Sequence, residues 1–69
     1  MPLTMAKAGE TNSIKRVGGK EETRQFLAKL GFVPGADITL ITEIRGNVIV
    51  NIKESRVAIS REMAGKILV

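Results

Sequence analysis

The sequence contains no cysteine and no histidine, and it also lacks tryptophan and tyrosine. Without cysteine or histidine, disulfides and the usual zinc, haem and iron–sulfur ligand sets are excluded, so packing alone must hold the fold together. The common hydrolases and transferases need a histidine proton shuttle, a cysteine nucleophile or a bound metal. We therefore expect a protein that is not an enzyme, with no catalytic residue, no cofactor and no metal site.

Long hydrophobic runs are also missing. No apolar stretch exceeds three residues, whereas a transmembrane helix needs about 20 and the core of a signal peptide about 7–15. We therefore expect a soluble, cytoplasmic chain that does not insert into a membrane. With 69 residues in total, the chain has room for one domain, residues 1–69, whose core takes up most of the apolar side chains.

One segment, from Lys20 to Leu30, has the pattern of an amphipathic helix. Gly31 follows it as a left-handed stop, and Pro34 with Gly35 then predicts a type II turn. The residues expected on the buried face of the helix are Thr23, Phe26, Leu27 and Leu30.

Alternating apolar residues predict a meander of three strands after this turn. The positions expected to face inward are Ile38, Leu40, Thr42, Ile44, Val48, Val50, Ile52, Val57 and Ile59. A three-residue loop at 45–47, with Asn47 in the left-handed conformation, would align the first two strands and pair Ile44 with Val48. A two-residue loop at 54–55 would pair Ile52 with Val57.

The remaining segments predict short elements. Residues 3–5 and 13–17 have the alternation of strands, and a last strand at 66–69 would follow a single helical turn, 61–64, capped by Ser60. The fold class is therefore mostly β with one α-helix, a small, strongly bent barrel of five to six short strands.

Segments along the whole chain resemble the ferrous iron transport protein A (FeoA) family, which consists of small bacterial cytoplasmic proteins. The most specific of them is the run Leu-Gly-Phe-Val-Pro-Gly at 30–35, after a helix that bears an arginine. The other matching segments are 9–10, 14–19, 24–29, 57–61 and 64–69. Backbone geometry explains the glycines and proline within them, so these residues indicate the fold rather than a site. They are Gly18, Gly19, Gly31, Pro34 and Gly35.

The resemblance implies a Src-homology-3-like (SH3-like) barrel and an accessory role in ferrous iron uptake. Family members work with the membrane ferrous iron permease. The resemblance implies that they dock on the cytoplasmic face of this permease. Many relatives have a longer, proline-containing loop between the two central strands, where this chain has only Arg45, Gly46 and Asn47. If that loop contributes to docking, the chain is a paralogue with another partner.

A second set of apolar residues falls out of phase with the inward positions. Ile41, Ile49 and Ala58 would lie together on the outer face of the meander, with Ile49 opposite Glu43 and Asn51 opposite Ala58. Either the N-terminal strand or the helix covers these residues, or they form a docking patch for a partner. The polar residues expected at such a surface are Lys53, Arg56 and Arg24.

The net charge of +4 raises an alternative, a small basic barrel that binds nucleic acid. Readers of that kind stack bases on exposed aromatic rings, whereas Phe26 and Phe32 are the only aromatics and both are expected in the core. Protein binding is therefore favoured. The family name carries a metal-binding implication, but ferrous iron prefers imidazole together with carboxylate, and the seven carboxylates are scattered along a chain without histidine.

Overall fold

Most of the predicted alternation appears as strands in the computed structural model, which describes residues 1–69. The strands are β1 (Thr11–Ser13), β2 (Arg16–Val17), β3 (Asp37–Ile44), β4 (Asn47–Ile52), β5 (Ser55–Ser60) and β6 (Ile67–Leu68). The helices are α1 (Glu21–Lys29), α2 (Arg61–Ala64) and one 3-10 turn, Leu3–Met5. The strands form a four-stranded sheet in the order β1-β3-β4-β5 and a two-stranded sheet of β2 and β6. A mostly β fold of six short strands and one main helix is confirmed.

The N-terminal segment differs from the expected pair of strands. Residues 3–5 form a 3-10 turn that buries Leu3 completely and leaves Met5 exposed. The expected strand at 13–17 is divided at Ile14, because the chain crosses there from one sheet to the other. The amide of Ile14 donates to the carbonyl of Ala36 beside the large sheet, and the amide of Lys15 donates to Leu68 in the small one.

Helix α1 has the predicted extent within one residue at each end. Gly31, whose φ is +104°, follows the C-cap residue Leu30, with the Gly31 amide donating to Ala28 and the Phe32 amide donating to Leu27. This is a Schellman motif, and it turns both Leu27 and Phe32 into the core. The prediction for Phe26 is wrong, since its side chain is 48% exposed. Leu27 is the only fully buried residue of the helix, so α1 meets the core along a narrower line than expected.

The register between β3 and β4 corrects the predicted loop. The loop has two residues, Arg45 and Gly46, both with positive φ, and Ile44 pairs with Asn47. A bulge between Leu40 and Thr42 adds one more residue to β3. Relative to the predicted pairing, the register of β3 against β4 is therefore shifted by one residue near the turn and by two residues beyond the bulge.

Because a one-residue shift exchanges the faces of a strand, only the part of β3 next to the turn is affected. Ile44 and Thr42 point outward instead of inward, and both are exposed. Ile38 and Leu40, beyond the bulge, keep their inward orientation opposite Ile52 and Val50.

The β4–β5 loop also differs, since Lys53 and Glu54 form it and Ile52 pairs with Ser55 rather than Val57. This shift is two residues, so the predicted inward residues Val57 and Ile59 still face the core. At the end of β5, the hydroxyl of Ser60 accepts a hydrogen bond from the Met63 amide at 3.1 Å, which confirms the predicted cap of α2.

The core contains 12 buried apolar residues drawn from both sheets, both helices, the 3-10 turn and the segments between them. None of the helices has both the length and the apolarity that crossing a membrane requires. The core lies against one face of the large sheet, and the other face of that sheet is turned away from the core.

Candidate functional site

The outer face of the large sheet carries a row of polar side chains across all four strands. Thr39 lies between Thr11 and Asn51, and Asn51 lies between Thr39 and Arg56. The hydroxyls of Thr11 and Thr39 are 2.7 Å apart, and Nε of Arg56 donates to Oδ1 of Asn51 at 3.2 Å. These hydrogen bonds hold the row in one arrangement while leaving it open to solvent.

Next to this row lies an apolar group. Ile49 is paired with Thr42 on one side and Ala58 on the other, not with Glu43 as expected. The bulge places two residues of β3, Ile41 and Thr42, opposite the single residue Ile49. Ile41 and Ile49 are half-buried, and neither belongs to the core or packs against it.

Ile44 joins this group, although the sequence pattern assigned it to the core. Its side chain is 53% exposed, because the two-residue loop turns it to the outer face. The signal that was missed is the bulge, since a strand with one extra residue cannot keep a single alternation along its length. We call the group of Ile41, Ile44, Ile49 and Ala58 the outer patch.

Neither of the segments expected to cover the outer patch lies over it. β1 extends the sheet at the edge of β3 instead of crossing its face. α1 places Leu27 in the core, which is on the opposite side of the sheet. Neither β1 nor α1 therefore covers the patch, in which Ile44 and Ala58 are exposed and Ile41 and Ile49 are half-buried.

The basic residues expected around the patch are divided by the structure. Arg56 belongs to the polar row and borders the patch through its neighbour Ala58 on β5. Lys53 lies at the β4–β5 turn, with φ of +54°, and its side chain runs along Gly31 at the end of α1. Lys53 is thus separated from Ile49 by the row that contains Asn51.

Arg24 lies in a different place, an open groove of about 450 Å³ between α1, β2 and the turn after the helix. Its apolar walls are Val17, Ala28, Phe32, Val33 and Pro34. We call this surface the helix-side groove. It shares no residue with the outer patch, so the structure does not bring Arg24 together with the other predicted contact residues.

The rim of the helix-side groove is polar and contains two basic residues and one acidic residue. It consists of Arg16, Glu21, Arg24 and Gln25. Gln25 Nε2 lies 3.4 Å from Glu21 Oε1, a weak contact, while the guanidinium groups of Arg16 and Arg24 make no hydrogen bond or ion pair within the chain. Both arginines are exposed and remain free to bind another molecule.

The acidic residues do not assemble into a metal site. No group of three or more aspartate, glutamate, histidine or cysteine side chains is close enough to hold an ion. Glu43 instead accepts two contacts from Nη1 of Arg61, at 2.7 and 2.8 Å. Because the two side chains are 43% and 58% exposed, this ion pair contributes at most about 1 kcal/mol.

Comparison with known proteins gives a consistent result. The FeoA domain family model matches residues 1–69. A curated relative from Methanocaldococcus jannaschii, described as putative Fe(2+) transport protein A, is 35% identical over 68 residues, which cover 99% of this chain and 83% of the relative.

Two solved structures have the same fold. The crystal structure of an iron uptake regulatory protein (FeoA) superposes with a TM-score of 0.88 at 26% identity, over 97% of this chain and 91% of the other. The solution structure of the FeoA protein from Chlorobium tepidum also gives 0.88 at 26% identity, over 97% of this chain and 66% of the other. The architecture of a four-stranded sheet, a two-stranded sheet and one main helix is thus the SH3-like fold of these proteins.

Proposed function

Because the chain belongs to the FeoA domain family, we propose that it is a non-enzymatic accessory protein of ferrous iron uptake that acts in the cytoplasm by docking on the membrane ferrous iron permease. The observation that carries this proposal is the match of the FeoA domain model over residues 1–69. The curated relative described as an Fe(2+) transport protein supports Fe²⁺ as the cargo of the system. The permease would carry the ion, and this chain would bind the permease.

The outer patch is the part of the surface that we assign to this docking. It places four apolar side chains next to a hydrogen-bonded polar row on one face of the large sheet, and protein interfaces likewise combine apolar and polar groups. A specific interface covers about 800 Å² on each partner, roughly a fifth of the 4467 Å² surface of this domain. Docking therefore engages the polar row of Thr39, Asn51 and Arg56 together with the patch.

Nucleic acid is the weaker alternative. Phe26 is exposed, so one aromatic ring is available for stacking, but proteins that hold single strands stack successive bases on several rings. The outer face of the large sheet carries no aromatic side chain, and Phe32 is buried. The exposed ring lies on α1 and not on the sheet face that carries Arg56, so the ring and this arginine do not form one binding surface.

The test is binding of the purified chain to the cytoplasmic nucleotide-binding domain of the ferrous iron permease from the same organism, measured by pull-down and calorimetry. We expect saturable binding that Ile49→Asp weakens by at least about tenfold, since a buried, unpaired carboxylate opposes the interface. Met5→Asp is the matched control, because Met5 is 69% exposed and lies outside the patch. Circular dichroism shows whether each variant stays folded.

The outcomes separate the function from its location. If the unaltered chain fails to bind the permease domain, the proposed function is wrong. If it binds and folded Ile49→Asp binds equally well, the function stands and the assignment to the outer patch is wrong. A shift of labelled oligonucleotides in a gel, lost steeply as salt is raised, would instead support the nucleic-acid alternative.

A further inference from the structure

The helix-side groove is a second surface whose chemistry differs from that of the outer patch. Its volume of about 450 Å³ is in the range of ligand pockets, about 300–1,000 Å³. Pockets for small molecules enclose most of the ligand, however, and this groove is open along one side. A groove of this shape fits a segment of a larger molecule better than a small ligand.

The charge of the groove selects the kind of segment. Arg16 and Arg24 are exposed, face the groove and have no partner in the chain, while the single salt bridge of the protein lies elsewhere, between Arg61 and Glu43. The charged side chains that line the groove are two arginines, Arg16 and Arg24, and one carboxylate, Glu21, so the lining has an excess of positive charge. Guanidinium groups form bidentate hydrogen bonds with carboxylates, so an acidic partner complements this rim.

The walls add an apolar requirement. Val17 is half-buried, Phe32 is buried, and Val33 is 37% exposed, so the floor is apolar and firmly packed while the edge remains accessible. A partner that filled only the charged rim would leave the accessible parts of Val17 and Val33 in contact with water. The complementary ligand therefore presents an apolar side chain as well as a carboxylate.

Two other classes of macromolecule fit less well. The only aromatic ring of the groove, that of Phe32, is 1% exposed, so it cannot stack on a nucleic acid base. The apolar residues line a groove together with Arg16, Glu21 and Arg24, whereas binding to a lipid surface uses apolar groups that project into the headgroup layer. A polypeptide supplies both an apolar side chain and a carboxylate within two consecutive residues.

We propose that the helix-side groove binds a peptide segment of another protein, with an apolar side chain against Val17, Ala28 and Val33 and an adjacent carboxylate bound by Arg16 and Arg24. This binding does not depend on the docking of the outer patch, because the two surfaces share no residue. It also does not depend on the identity of the permease as a partner.

The experiment follows amide chemical shifts of the labelled chain during titration with an acetylated, amidated octapeptide of alternating leucine and aspartate. The expected result is saturable shifts in α1, β2 and residues 32–34. An octapeptide of alternating leucine and lysine has the same apolar content and should bind at least about tenfold more weakly, the effect expected when charge-assisted hydrogen bonds are lost. Cosedimentation with phosphatidylglycerol vesicles is measured in parallel.

Two variants locate the site. Arg24→Glu should weaken binding of the aspartate peptide by about tenfold or more, whereas Lys7→Glu, an equal change of charge at an exposed residue outside the groove, should leave it unchanged. Equal binding of both peptides, equal loss in both variants, or shifts confined to the outer patch would each overturn the proposal. Binding to vesicles without binding to the peptide would assign the groove to a lipid surface. None of these measurements contains the permease, so a failed permease pull-down leaves them unaffected.

Discussion

Gly31 is the residue on which the direction of the chain after α1 depends. Its φ of +104° lets the Gly31 and Phe32 amides return to the last turn of the helix, and this turn delivers Phe32 to the core. Gly31→Ala should lower the free energy of unfolding by about 1–2 kcal/mol, the cost of a left-handed conformation for a residue with a Cβ. Urea unfolding followed by circular dichroism measures this change.

Backbone strain at the left-handed position, and not a steric clash, is the expected cause of the lower stability of Gly31→Ala. A Cβ at Gly31 would meet its nearest neighbours, in Ile52 and Lys53, at an ordinary 3.6 Å. Gly18→Ala is the matched control, because Gly18 is outside the left-handed region and its nearest contact, the Lys66 carbonyl, is also at 3.6 Å. A loss of stability in Gly18→Ala as large as in Gly31→Ala would contradict this explanation.

The β3–β4 hairpin contains a strained residue of another kind. Arg45 occupies a left-handed position, with φ of +49°, before Gly46 at +80°, as both central residues of a type I′ turn require. Asparagine tolerates this conformation better than arginine does, so Arg45→Asn should raise the free energy of unfolding by about 0.5–1 kcal/mol. The midpoint of urea unfolding provides the measurement.

Arg45→Ala tests the reason for this gain. Alanine removes the same charge but does not favour positive φ, so it should not stabilise the hairpin. If Arg45→Ala gained as much as Arg45→Asn, the loss of the charge and not the backbone conformation would explain the effect.

The same hairpin shows what the sequence could and could not predict. Apolar alternation identified the three strands of the meander and all inward residues of β4 and β5, because β4 and β5 keep one period along their length. The turn could not be predicted, since a glycine with a neighbouring asparagine is compatible with a loop at 45–46 or 45–47. The bulge near Ile41 adds one residue to β3, so the part of the strand beyond it regains the predicted inward orientation despite the shorter loop. This effect depends on how β3 pairs with β4, and no local sequence pattern indicates it.

The candidate site depends on that turn. The sequence predicts Ile41, Ile49 and Ala58 on the outer face because their phase is opposite to that of the core residues. They lie on that face in the structure even though the register differs from the predicted one. Ile44 was missed because it lies between the bulge and the turn, where the phase is reversed. The helix-side groove could not be predicted, since residues distant in sequence, Arg16, Arg24 and Val33, form it only after the chain has folded.

The whole molecule rests on a core of 12 residues, which leaves little stability in excess. A domain of this size without disulfides or metals rarely exceeds about 3–5 kcal/mol of net stability. Leu27 is fully buried and is the only such residue that α1 contributes. Leu27→Ala removes about 2–5 kcal/mol, so it should abolish the cooperative thermal transition or shift it far below that of the unaltered chain.

Phe26 provides the comparison within the same helix. Its ring is larger than the leucine side chain, and if side-chain size decided the outcome Phe26→Ala would be the more damaging change. Because the ring is 48% exposed, truncation should cost less than about 1 kcal/mol, and the thermal transition should remain cooperative.

Leu27→Met, which conserves volume and costs less than about 1.5 kcal/mol, provides a folded variant at the buried position should Leu27→Ala not fold at all. Equal losses in Phe26→Ala and Leu27→Ala would show that α1 packs on the sheets through both residues. The ring of Phe26 would then be part of the core, and the conclusion that α1 meets the core along a narrow line at Leu27 would be wrong.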